Sequence, residues 1–397
     1  MKFSKRIVSM QESPIRKLVP YADKAKEKGK KVYHLNIGQP DIETPTEFLE
    51  AIKDFDEKVI SYAHSQGIKE LIDAFVKYYE KHDIYFENDE IIVTNGGSEA
   101  LIFSLIATCD HEDEVLIPEP FYTNYNGFSN MTGVNVVPIT TEAENGFHLP
   151  EKDKITKLIN EKTKAILLAN PGNPTGTVYT KEEIHMIKDI ALEYDLFIIA
   201  DEVYKEFVFD GQEFMSFAHL EEIQDRVILT DSISKRYSAC GARIGSIASK
   251  NKDLMKEVMK LAQGRLCVAT VEQVGAANLI NTPDSYIEEV KEEYWKRRDI
   301  VYEALQKMDG VVCEKPHGAF YVIAKLPIDN AEDFVVWLLE EFEINNETVM
   351  MAPAEGFYAT EGLGVDEVRI SYCINTEDLT KAMNILEGAL KVYPGRI

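Results

Sequence analysis

The chain has 397 residues, 45% hydrophobic and 28% charged. That is ample apolar material for a soluble globular protein and too long a chain for one simple core, so two or more lobes are expected. The formal charge of −25 excludes the basic footprint that a nucleic acid or an anionic membrane requires of its partner.

In chain order, Met1 to Met10 is basic but lacks the apolar centre of a secretory signal. The longest apolar runs, such as Leu196 to Ala200, are strand-sized and far below a membrane span. The five cysteines are scattered, with no CxxC pair. They read as reduced thiols in a cytoplasm, and no metal site is expected.

Short apolar runs then alternate with helical periods. Val115 to Ile117, Ala165 to Leu168, Leu196 to Ala200, Val227 to Leu229 and Gly245 to Ala248 read as buried strands. Thr180-Lys181-Glu182-Glu183 is a capping box that opens a helix with apolar Ile184, Ile187 and Ala191. Strand, crossover helix and strand together predict a mostly parallel sheet, with ligands bound beyond the carboxyl ends of its strands.

Polar residues follow four of the apolar runs. Ile92-Val93 leads into Thr94-Asn95-Gly96-Gly97-Ser98-Glu99, where a helix can start with bare N–H groups, a ready anion site. Ala165 to Leu168 leads into Ala169-Asn170-Pro171-Gly172-Asn173-Pro174-Thr175-Gly176, whose Asn-Pro steps hold the backbone fixed and extended. Leu196 to Ala200 leads into Asp201-Glu202-Val203-Tyr204, and Val227 to Leu229 into Thr230 to Arg243. Tyr122, after the Val115 strand, can stack on a ring or pack in the core.

In the last of these runs Lys235 is preceded by Ser232 and Ser234 and followed eight residues later by Arg243. An amine can form an imine with an aldehyde, and hydroxyls with a guanidinium can hold a phosphate. Both groups on one small molecule describe pyridoxal phosphate, PLP. Asp201 at a rigid strand end suits a pyridinium nitrogen, the opposite charge favouring its ionised form. Tyr204 and Asn173 can reach the ring's 3-hydroxyl oxygen.

The C-terminal third reads as a smaller α+β lobe. A long helix is predicted over 284–308, strands at Val311 to Cys313 and Ala319 to Ile323, and helices at 331–343 and 376–392. Arg369, in the predicted strand Glu367 to Ser371, needs a partner if buried, and a bidentate clamp on an α-carboxylate would satisfy it.

With these residues in place, the chain resembles the fold-type I PLP-dependent aminotransferases of class I/II, near the aspartate aminotransferases. The likeness rests on Ser232-Ile233-Ser234-Lys235 through Gly241-Ala242-Arg243, on Asn170 through Gly176, and on Asp201 with Tyr204. It implies a mostly parallel central sheet flanked by helices, with a large PLP-binding domain over 47–284. A small domain would comprise 1–46 plus 285–397. By the same likeness Ser232, Ser234, Arg243 and the amides of Gly97 and Ser98 hold the phosphate. Gly38, Asn173 and Arg369 bind the substrate, with Gly38 and Arg369 on its carboxylate. Tyr62 reaches the site of a neighbouring subunit, implying a homodimer.

The implied activity is ping-pong amino transfer through a Lys235 Schiff base, from aspartate to a 2-oxo acid such as 2-oxoglutarate. Alternatives are another donor (alanine or an aromatic amino acid) or a carbon–sulfur lyase on the same fold. A PLP-sensing regulator would need an appended DNA-binding domain, for which the chain has neither spare length nor a basic region. Two departures bear on the donor. Ala242 stands where many relatives carry tryptophan, and Ser98 where some bacterial aspartate aminotransferases place a lysine for the second carboxylate. Arg265 is a candidate replacement cation, with a surface position as the plainer alternative.

Overall fold

A computed structural model describes residues 2–397; Met1 lies outside the described residues. In chain order the strands are β1 (Lys31–His34), β2 (Ile91–Asn95), β3 (Glu114–Glu119), β4 (Asn135–Thr140), β5 (Thr163–Ala169), β6 (Phe197–Asp201), β7 (Val227–Ser232), β8 (Ile244–Ala248), β9 (Tyr321–Lys325), β10 (Glu347–Met350), β11 (Ala352–Pro353) and β12 (Glu367–Ser371).

Seven of them form one sheet in the order β2-β8-β7-β6-β5-β3-β4. Only β8 runs against its neighbours, β2 and β7; the other pairings are parallel. The ends of β2, β5, β6 and β7 therefore share one edge of the sheet. The mostly parallel α/β fold expected from the sequence is the one observed.

The continuous apolar runs follow from this arrangement. Successive strand residues point to opposite faces, and both faces are covered. Ile166, Leu168, Ile198, Ala200 and Leu229 enter one core with Ile184, Ile187 and Ile190 of the helix Lys181–Tyr194. Their neighbours Ala165, Leu167, Ile199 and Ile228 enter another with Leu101 and Leu105 of the helix Gly96–Thr108. The predicted capping box is present: the Thr180 hydroxyl accepts from the Glu183 amide at 3.2 Å, and the Glu183 carboxylate accepts from the Thr180 amide at 2.7 Å. The sequence reading passed over β4, because Pro138 interrupts its apolar pattern; as an edge strand, β4 tolerates a missing donor.

A separate core gathers Leu18, Ala22 and Leu35 with Tyr294, Phe334, Leu338 and Leu386. Around it lie the antiparallel sheet β11-β12-β9, the parallel pair β1-β10, and the helices Asp284–Leu305, Ala331–Glu340 and Thr376–Val392. Tyr204, Phe207 and Phe209 also enter this core from the segment after β6.

Four expectations need correction here. The strand at Val311 to Cys313 is reduced to a single bridge, Val312 to Lys325, beside Gly310 with φ of 80°. The strand expected at Ala319 starts at Tyr321, because Ala319 is left-handed (φ 55°) and its amide donates to the Phe207 carbonyl. The two predicted helices ending at 308 and 343 stop at Leu305 and Glu340; after the second, left-handed Asn345 and Asn346 turn the chain into β10.

Candidate active site

β7 runs directly into the one-turn helix Ile233–Arg236, and this junction fixes Lys235. The Ser232 hydroxyl caps the turn, accepting from the Ser234 amide at 3.2 Å and lying 2.9 Å from the Ile244 carbonyl, to which it donates. Beneath it, Asp231 accepts from the Ser232 amide and from Arg236 Nη1, both at 2.7 Å, with Lys205 Nζ at 3.5 Å. All of these polar groups are buried. Lys235 is thus aimed by a rigid base, and its Nζ donates to the Gly38 carbonyl at 2.7 Å.

Gly38 has no room for a side chain: a Cβ there would overlap the hydroxyl and ring of Tyr321, itself 2% exposed. Gly38→Ala is expected to destabilise the fold by about 1–3 kcal/mol, as overpacked sites do, and to displace the carbonyl that holds Lys235. A denaturant midpoint unchanged from wild type would contradict this.

β2 ends in the helix Gly96–Thr108, whose N-terminus has no side-chain cap. Gly97 and Ser98, in its first turn, line the same space as Arg243. Gly96 (φ +72°) is required by that approach, since a Cβ would stand 2.9 Å from Arg243 Cζ. Arg243 is itself left-handed (φ 55°) and is anchored by the Cys240 carbonyl at 3.0 Å.

Asp201 terminates β6, paired in register between Ala169 and Thr230. Burial pushes its carboxyl up to about 6, partly offset by hydrogen bonds from the Tyr125 hydroxyl (2.8 Å) and the Val203 amide. The next residue, Glu202, is likewise pushed up by burial, to about 7, but its carboxylate is bound to Ser216. Tyr204 lies buried with its hydroxyl 3.0 Å from that of Tyr321. At the end of β5, Asn170 braces the loop by accepting from the Tyr179 amide, and both Asn-Pro bonds are cis. Asn173 accepts from Arg369 Nη1 at 3.2 Å.

Arg369, on β12, is 2% exposed. Its Nη2 donates to the Asn36 carbonyl at 2.7 Å, its guanidinium lies over the rings of Tyr321 and Phe357, and its buried Nε has no partner among the described residues. Such a group is costly to leave unpaired and is suited to an incoming carboxylate.

A cavity of about 670 Å³ joins these pieces. Every site residue expected from the sequence lines it except Tyr62. Tyr62 is 80% exposed, beside exposed Val59 and Ile60, and lies outside this chain's cavity. Arg265 is corrected on both readings. It does not line the cavity, and it is no free surface residue: its side chain is 15% exposed and donates to the Ser65 and Val93 carbonyls.

Sequence reasoning missed Tyr125, Tyr321, Asn36 and Arg16. Tyr125 had a signal, sitting one helical turn beyond Tyr122 in the same aromatic run; the others depend on long-range contacts.

The donor set matches the demands of PLP. It offers an amine for an aldehyde carbon, a buried carboxylate for a ring nitrogen, and hydroxyls, amides and a guanidinium for a phosphate. The volume accommodates such a cofactor together with an amino acid.

A family described as aminotransferase class I and II matches residues 30–386. The chain is 30% identical over 394 residues to an aspartate aminotransferase of Bacillus subtilis, covering 96% of this chain and 97% of that one. It is 32% identical over 399 residues to an aromatic-amino-acid aminotransferase 2 of Thermococcus litoralis, covering 98% and 99%. A crystal structure of an aspartate aminotransferase from Thermotoga maritima superposes with a TM-score of 0.89 at 31% identity, covering 98% of this chain and all of that one (100%).

Proposed function

Since the chain belongs to the class I and II aminotransferase family, we propose that it moves the α-amino group of aspartate to 2-oxoglutarate in ping-pong order. The observation that carries this reading is the convergence of Lys235, Asp201, Arg243 and Arg369 on one cavity. Family membership implies PLP, which when bound supplies an electron sink for the change at the amino acid's α-carbon. Lys235 would hold its aldehyde carbon, Asp201 its ring nitrogen, and Tyr204 with Asn173 its phenolic oxygen. Tyr122 would cover the ring face. Ser232, Ser234, Arg243 and the amides of Gly97 and Ser98 would hold the phosphate.

The rest of the reaction falls to this chain's own groups. Arg369 and the backbone at Gly38 orient the α-carboxylate, which fixes the bond to be broken at the α-carbon. Lys235 Nζ would take the α-proton in the first half-reaction and return one to the α-carbon of the 2-oxo acid in the second. Asp201, ionised, favours a protonated ring nitrogen.

We further assign residues 47–284 to a large cofactor-binding domain and 1–46 with 285–397 to a small one. The shared core of Leu18 to Leu35 with Val290 to Tyr393 supports that division. Exposed Val59, Ile60 and Tyr62 support a homodimer in which Tyr62 serves the neighbouring site. Five free cysteines fit a cytoplasmic setting. Among the described residues no helix is long and apolar enough to cross a membrane.

An amino-donor screen with 2-oxoglutarate as acceptor tests the proposal. Aspartate is expected to give the highest kcat/KM, ahead of alanine and phenylalanine. A preference for phenylalanine would move the chain toward the aromatic relative. Pyruvate release from cystathionine without amino transfer would replace the proposal with a lyase.

A further inference from the structure

Among the described residues the cationic groups lining the cavity are Arg16, Lys235, Arg243 and Arg369, and the only carboxylate lining it is Asp201. Three of the four cations have work in the reading above: the aldehyde carbon, the phosphate and the α-carboxylate. Arg16 has none. Among the described residues its guanidinium has no ion-pair partner within 4 Å and makes no side-chain hydrogen bond. Its neighbour Lys17 differs, being tied to Glu332 across the chain.

The position of Arg16 is fixed although its head is free. The amides of Arg16 and Lys17 both donate to the Ser13 carbonyl, the Arg16 carbonyl accepts from Val19, and buried Leu18 plugs the turn into the core. The preceding residue is anchored to the substrate end of the site. Asn36 Nδ2 donates to the Ile15 carbonyl at 2.9 Å, and the Asn36 carbonyl accepts from Arg369 Nη2 at 2.7 Å. The turn bearing Arg16 is therefore coupled through one asparagine to the arginine assigned to the α-carboxylate. Ile15, Ile37 and Leu101 line the same cavity, and Ser98 offers no positive charge there.

We propose that Arg16 is the specificity-determining cation of the site and binds the side-chain carboxylate of a dicarboxylic substrate. The inference rests on the aminotransferase reading and deepens it. A monocarboxylic amino acid would leave this cation without a counter-charge, whereas aspartate or 2-oxoglutarate supplies one. A guanidinium is suited to the task because its planar donors match a carboxylate in pairs.

The test uses the holoenzyme with Arg16→Ala and Arg16→Gln. The ratio of kcat/KM for aspartate to that for alanine is expected to fall about 10- to 100-fold, the range for losing hydrogen bonds to a charged group, with most of the loss in KM. The Kd of maleate, an unreactive C4 dicarboxylate, measured by calorimetry, is expected to rise at least about tenfold, while that of acetate changes less. An unchanged ratio, or a larger loss for phenylalanine than for aspartate, overturns the assignment. Should the wild type transfer no amino group from aspartate, the functional reading fails by itself. The maleate measurement then still decides Arg16: weakening in both variants supports a carboxylate receptor, and unchanged binding overturns it.

Discussion

Replacing Lys235 with alanine is expected to lower multiple-turnover amino transfer by at least about 10⁴-fold, because the proposed mechanism uses this one side chain as both covalent anchor and proton carrier. The loss should be chemical and not structural. Among the described residues the Lys235 side chain hydrogen-bonds only to the Gly38 carbonyl. The turn beneath it is held independently by the Ser232 cap and by the Arg236–Asp231 pair at 2.7 Å. Thermal unfolding of the variant should therefore stay close to wild type, with a change of about 1 kcal/mol or less. The groups proposed for the phosphate, Arg243 and the Gly97 and Ser98 amides, are untouched by the substitution, so PLP should still bind, without covalent attachment. Steady-state rates alongside a melting curve decide the matter: turnover above about 1% of wild type in a folded variant would remove Lys235 from the proton-carrying role.

The parts of this site that could be read from sequence share a physical origin. Buried parallel strands demand unbroken apolar runs, so β5, β6 and β7 announce themselves, and the first polar residues after each run mark the edge where ligands bind. Asp201, Asn173 and Lys235 are legible on that ground. Arg16 and Tyr321 are not, because their positions are set by contacts far apart in sequence: Asn36 with Ile15, and Tyr321 with Gly38 and Tyr204. No local pattern carries such information. The reversed direction of β8 was equally hidden, since an apolar run reads the same in either direction. Val311 to Cys313 erred the other way: local propensity favoured a strand, but flanking geometry left one bridge.

Asp201→Asn is expected to separate stability from function. In the cofactor-free protein, burial raises the Asp201 carboxyl from 3.8 to about 6. The folded state then holds a proton that the unfolded chain releases at lower pH. The contribution of this group to stability is therefore favourable to folding at low pH and declines as pH rises through the interval from about 4 to 6. Above it, keeping the carboxylate ionised and buried costs about 3 kcal/mol, at 1.36 kcal/mol per tenfold change in proton affinity. Asparagine never ionises and can still accept the Tyr125 hydroxyl, so the cofactor-free variant should be more stable than wild type at pH 7.5 by up to about 3 kcal/mol. Its advantage should vanish below pH 4. Glu202, pushed up to about 7 by its own burial, adds a pH dependence of the same sign. It is present in both proteins and largely cancels from the difference. Activity should move the opposite way. Without the anion, a protonated ring nitrogen loses the partner that favours it by one to three powers of ten, so kcat should fall by about 10²-fold or more and PLP should bind more weakly. Urea titrations of the two cofactor-free proteins at pH 4 and pH 7.5, with kcat of the loaded forms, test both halves. A variant less stable than wild type at pH 7.5, or one with unchanged kcat, would show that the buried carboxylate is not held there for the ring nitrogen.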